Sequence, residues 1–267
     1  MATKNDKDRD RQLVRQLLAI AADPAASIAE RDQAQLRASI LMARLMIDEL
    51  DLDQADSEQI TTRDMIIKGG PTTASRAQVT ALHRIARAAG ASTYHTRHFD
   101  EKRASGGRGP HIVLHVVGYP ADLERLMPLL AAVQAHAAVG WDAWRRANPR
   151  RVKPMKPATR RATRDGYIEG WGDAIAKRVR AARAGAIQVR DQRAQANGAA
   201  STALVVRSRD QRITDYLDAL DLREAKTPEP DRRAYHDGAR DARASGLGSD
   251  TTALTDHNHH HLKGINS

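Results

Sequence analysis

No cysteine occurs in the chain, and aromatic residues are scarce: one Phe, five Tyr and three Trp. Without thiols there is no disulfide framework, no thiolate metal site and no thiol nucleophile, and an intracellular setting is the simpler expectation. With so few aromatics, a core drawn from a 41% apolar complement must rest on Ala, Leu, Ile and Val, which suits closely approaching helices better than a thick sandwich. No apolar run reaches the roughly 18 residues of a membrane span, and the opening MATKNDKDRDRQ lacks the apolar centre of a secretory signal. The expectation is a soluble, cytoplasmic protein without a membrane partner. The patterns G-x-S-x-G, G-x-x-x-x-G-K-[ST] and H-E-x-x-H are all missing, so no catalytic residue and no cofactor are assigned.

Positive charge is what the chain has in excess, and it is unevenly placed. The formal net charge is +10, yet residues 1–60 carry −4 and residues 201–267 carry −1, so the excess sits in the middle. Its peak is RRANPRRVKPMKPATRRATR, Arg145 to Arg164, with nine basic side chains and no acidic one. A field of this kind suits a polyanion. The alternative is a charged strap kept solvated by its own repulsion.

Periodicity predicts a helix-rich α+β protein. Residues 9–48 read as an N-terminal helical hairpin: Leu13, Leu17 and Ile20 recur at helical spacing, Asp23-Pro24 ends the first helix, and Ser27 with Glu30 forms a capping box for the second. Residues 49–72 read as an acidic linker. Residues 73–147 read as an α+β unit. A helix stopped by Gly90 leads to strands at 92–99 and 111–118 joined by DEKRASGGRGP, and a long helix from Pro120 follows, kinked at Pro128. This gives a small antiparallel sheet of two or three strands, with Ile112, Leu114 and Val116 on the face expected to be buried. Residues 148–161 read as a basic linker. Residues 162–246 read as a C-terminal helical part with a short strand at 203–207, and 247–267 as a disordered tail whose His257, His259, His260 and His261 bind metal only adventitiously.

RQLVRQLLAIAADPAASIAERDQAQLRASILMARLMID is similar to a domain of unknown function found at the start of many phage and bacterial proteins. HIVLHVVGYPADLERL, RDGYIEGWGDAIAKRV and AYHDGARDARA resemble the second uncharacterised α+β domain that usually follows it. The resemblance implies this order of hairpin and α+β unit and a phage or mobile-element setting. It implies no catalytic residue.

The candidate phosphate contacts are Arg145, Arg146, Arg150, Arg151, Lys153, Lys156, Arg160, Arg161 and Arg164, since each neutralised phosphate adds a salt-sensitive increment of affinity. Pro149, Pro154 and Pro157 favour an extended course along which these charges track a strand of DNA or RNA. Trp141 and Trp144, just upstream, are candidate stacking platforms for bases. The function expected first is that of a non-enzymatic accessory protein that holds nucleic acid by its phosphates. The second reading is a module that docks on a host protein through the apolar hairpin and the bare surface at Gly166 and Gly170. A third is a metal-dependent hydrolase at His95, His98, His111 and His115. His95 and His98 point to opposite faces, and His111 and His115 lie about 13 Å apart along their strand, so only cross-strand pairing brings two imidazoles together. Asp165, Glu169 and Asp173 read as a solvated face paired with Arg161 and Lys177. Tyr167, Trp171, Ile175 and Val179 read as the buried stripe of the same helix.

Overall fold

The computed structural model describes residues 4–23, 25–48, 58–67, 72–99, 110–196, 201–223 and 231–244. The predicted loop 100–109, most of the acidic linker and the His-rich tail lie outside the described residues. The elements in chain order are α1 (Lys4–Ala22), α2 (Ile28–Asp48), β1 (Thr61–Ile67), α3 (Thr73–Ala89), β2 (Ser92–His98), β3 (His111–Gly118), α4 (Pro120–Ala147), α5 (Pro149–Val152), α6 (Pro157–Ala196), α7 (Thr202–Asp218) and α8 (Arg232–Ala244). The protein is a helix-rich α+β fold whose small antiparallel sheet is flanked by helices, as its periodicity predicts.

Local signals place most of these elements. At the start of α2 the Glu30 carboxylate accepts from the Ser27 backbone N–H at 2.9 Å, and the Glu30 N–H donates to Ser27 Oγ at 3.2 Å, closing the capping box. Thr72 Oγ1 accepts from Ser75 N at the start of α3. At its end Gly90 adopts φ 91°, a left-handed conformation open to glycine at little cost. The helix α4 runs unbroken across Pro128. Pro128 and Glu124, whose carbonyl loses its helical partner there, are both exposed, which lowers the cost of the missing bond.

Two elements depart from expectation. β1 occupies the end of the stretch read as acidic linker and makes the sheet three-stranded, in the order β1-β3-β2. Its TTRDMII alternates, and only Met65 and Ile67 are buried, so its apolar signal is two residues long and follows a run of charge. Residues 203–207, read as a strand, form part of α7 instead. Val206, Arg209 and Ile213 are buried there at helical spacing.

The core lies between the sheet and α3, α4 and α6. Ile67, Ile112, Leu114 and Val116 meet Leu82 and Ile85 of α3 and Leu123, Leu126 and Leu130 of α4, all essentially inaccessible to water. α6, about 60 Å long at the usual helical rise, is the spine of the molecule. α3 packs against it where Gly172 meets Ala81, and α8 where Gly166, Gly170 and Gly238 let the backbones touch. A methyl group at Gly170 would strike the carbonyl of Tyr235. The α1/α2 hairpin leans on α4 and α6 rather than standing apart. On the far face of the sheet, α7 covers the Val117 end. Arg209 lies over the Tyr119 ring at 3.5 Å while its guanidinium reaches Glu58 at 2.5 Å and Asp122 at 3.0 Å.

Candidate nucleic-acid interface

The basic stretch from Arg145 to Arg164 is a turn between helices, not an extended strap. It comprises the last turn of α4, the single turn α5 and the first two turns of α6. Asn148 donates through its backbone N–H and its Nδ2 to the carbonyl of Trp144, closing α4. Pro149 and Pro157 then stand as the first residues of α5 and α6. At that position a missing N–H is no loss and a fixed φ is already helical, so the same prolines that favour an extended chain here start two helices.

Trp141 and Trp144 are buried, not exposed as stacking platforms for bases would be. Their relative exposures are 8% and 4%, and they stack on one another with ring centroids 5.2 Å apart. Tyr167, Val152 and Ala234 close around them. Two indoles one helical turn apart on α4 face the spine because α6 and α8 supply an apolar wall there. Their aromatic area therefore holds the turn in place.

The nine basic residues divide by what they meet. Arg151 is part of this support: it contacts Asp237 of α8 at 2.5 Å and lies 5.1 Å from the centre of the Trp144 ring. Arg145 pairs with Asp142 at 3.0 Å, and Arg164 with Asp165 at 2.9 Å and with Thr73 Oγ1. The other six, Arg146, Arg150, Lys153, Lys156, Arg160 and Arg161, are exposed and make no side-chain hydrogen bond or salt bridge among the described residues. Among the described residues, the carboxylates at the start of α8 that could neutralise them are already engaged. Asp237 is held by Arg151 and Arg240, and Asp231 accepts from Thr163. The charge is thus concentrated on one helical corner. α8 brings Arg233, exposed and next to the Ala234 that packs under Trp141 and Trp144, a neighbour some eighty positions away that periodicity does not reveal.

The bare face of α6 is taken. Gly166 abuts the backbone of Asp231, and Gly170 that of Tyr235. Close approach at these glycines is thus realised within the chain by α8, and the face is closed to a host protein. The carboxylate ladder beside it also differs from the solvated face expected. Glu169 is 5% exposed and receives Arg84 of α3 at 3.4 Å, and burial pushes its carboxyl up despite that guanidinium. Asp173 pairs with Lys177 at 3.0 Å as predicted. Partial burial raises its carboxyl, but the bonds from Lys177 and Tyr235 outweigh this and lower it overall. Burial, and then the bond to Asp173, lift the Tyr235 phenol to about 12, so it stays a donor at any ordinary pH.

The hairpin histidines divide between the two faces of the sheet. His95 lies opposite Leu114 on the core side, where burial, then Arg97 and His115, lower its pKa. His98 pairs across the strands with His111, and their rings stack at 5.0 Å. Among the described residues no three His, Asp or Glu side chains are grouped to hold a metal ion. No helix among them is long and apolar enough to cross a membrane. No family model, curated protein or solved structure matches the chain.

Proposed function

We propose that the protein binds nucleic acid through its phosphates, using the helical corner formed by α4, α5 and α6. The supporting observation is the group of six exposed cations without acidic partners among the described residues, on three successive helical segments and the turn joining the last two, with the described carboxylates nearby committed elsewhere. Side chains of this kind gain little from the fold and a great deal from a polyphosphate, because each contact releases condensed counterions. Neither indole is available to stack and the corner presents no base-reading element, so binding follows charge rather than sequence. The phage or mobile-element setting implied by the sequence resemblance is compatible with such an accessory role.

The test is a gel-shift series across salt concentrations with duplex and single-stranded DNA and RNA. Engagement of all six cations gives a log–log slope of affinity against salt of about −5 on duplex DNA. The combined substitution Arg150→Glu, Arg160→Glu and Arg161→Glu abolishes the shift. Arg151 is left intact because its removal would disturb the packing of α8. A salt-independent affinity, or binding that survives the triple reversal, overturns the reading.

A further inference from the structure

We infer that the outer face of the sheet carries an acid–base pair, His98 and His115, that cleaves RNA by driving a 2′-hydroxyl onto the adjacent phosphate. The inference rests on the phosphate-binding reading for how RNA is held, and adds a reaction to it.

Four side chains on three strands form a continuous relay. Asp64 of β1 lies directly across from His115 of β3, and its Oδ1 is 2.7 Å from His115 Nδ1. His115 Nε2 is 2.9 Å from Thr96 Oγ1, and the same oxygen is 2.9 Å from His98 Nε2. Only one arrangement of protons satisfies this chain with neutral rings. A carboxylate can only accept, so His115 carries its proton on Nδ1 and offers a lone pair at Nε2. The Thr96 hydroxyl therefore donates to His115, and its oxygen accepts from the Nε2–H of His98. Two imidazole Nε2 atoms thus converge on one oxygen, one as a base and the other as a proton donor. Ring stacking fixes both planes: Tyr94 lies on His115 at 4.4 Å and His111 on His98 at 5.0 Å. The Asp64 side chain is 62% exposed and that of His115 15%, and among the described residues α7 covers only the far end of this face, so solvent reaches the relay from its Asp64 side.

RNA supplies what such a pair lacks, since its nucleophile is built into the substrate. With a phosphodiester lying across Thr96, His115 Nε2 removes the 2′-hydroxyl proton as that oxygen bonds to phosphorus. The bond to the 5′-oxygen breaks, and His98 gives that oxygen its proton. The products are a 2′,3′-cyclic phosphate and a free 5′-hydroxyl, with no oxidant or co-reactant consumed. Asp64 is a positioning residue: it fixes the tautomer of His115 and stabilises the imidazolium that forms. The basic corner lies toward the same end of the molecule. Gln134 of α4 donates to the carbonyl of Ile66, which pairs with Val113, so α4 is level with the sheet there. Its remaining residues carry it about 20 Å further to the corner.

The experiment uses the full chain and an end-labelled oligoribonucleotide in the presence of EDTA, with products identified by mass spectrometry. Expected are fragments ending in 2′,3′-cyclic phosphate from RNA and none from the all-2′-O-methyl strand. His98→Ala and His115→Ala each lower the rate about 10²–10⁴-fold while the chain still unfolds cooperatively above the assay temperature. Asp64→Asn lowers kcat and leaves KM in place, whereas the triple reversal at the corner raises KM and leaves kcat. RNA that is bound but not cut overturns the inference and leaves the binding reading standing. Cleavage at equal rates by the wild type and both histidine variants overturns it as well. If RNA is neither bound nor cut, the inference fails, and the binding reading fails with it only if DNA is not bound either.

Discussion

Two stretches of α6 have opposite fates. Around Gly166, Gly170 and Gly172 the helix is bare, and two other helices of the same chain fill the space down to backbone contact. Around Arg160 and Arg161 the helix carries long charged side chains, and nothing in the described structure meets them. Both stretches look like invitations to a partner when read as sequence. The difference shows that smallness on a helix is easily satisfied within a chain, because any apolar or small-residue helix can lie against it. Clustered charge of one sign finds internal partners only if the chain also supplies the opposite sign nearby, and here those carboxylates have other roles.

Substitutions can break each half of this contrast. The largest effect is expected at Gly170→Val, where the added atoms collide with the Tyr235 backbone. A loss of about 3 kcal/mol or more in denaturant unfolding is expected, with α8 displaced. The triple reversal at Arg150, Arg160 and Arg161 should abolish nucleic-acid binding while shifting unfolding by no more than about 0.5 kcal/mol, since these side chains are exposed. Arg151→Ala sharpens the line between the two regions. It should cost about 1–3 kcal/mol in stability by leaving Asp237 short of a partner, with a much smaller effect on affinity than the triple reversal. Ser27→Ala, remote from both regions, should cost about 1 kcal/mol through the lost cap of α2.

The smallest expected effect is one of pH. Glu169 has a folded pKa above its ordinary value of 4.5, mainly through burial, so the folded state binds its proton more readily than the unfolded chain. The stability this confers is complete below the ordinary value and is lost as pH rises through the raised one. Glu169→Gln should therefore show a flatter dependence of unfolding midpoint on pH across that interval. An unchanged slope would show that burial at the α3/α6 contact does not govern this carboxyl.

Where a residue's role follows from its own neighbours in sequence, the fold was legible. The capping box at Ser27 and Glu30, the left-handed Gly90, the buried alternation of β3 and the Tyr167/Trp171/Ile175/Val179 stripe are all of this kind. Roles assigned by distant segments were not. Pro149 and Pro157 are compatible with extended chain and with helix starts, and the packing of Trp141 and Trp144 beneath them decides for the helix. Those indoles are buried because α8, some ninety residues on, closes over them. Within the candidate site the identity of the cations was readable, but which of them are consumed by the fold was not, since Asp237 comes from α8. Asp64 was hidden for the same reason. It sits on a strand whose partner is fifty residues away, and its meaning appears only when β3 lies between the two edge strands.

The burial of Trp141, Trp144 and Trp171 has a practical corollary. All three tryptophans of the chain are buried where α6 meets its neighbours, two of them under α4 and α8, so indole emission is sensitive to the docking of α8. Arg151 links the Trp144 ring to the neighbouring basic corner. The protein thus carries its own optical probe for a ligand arriving there, with no label to attach.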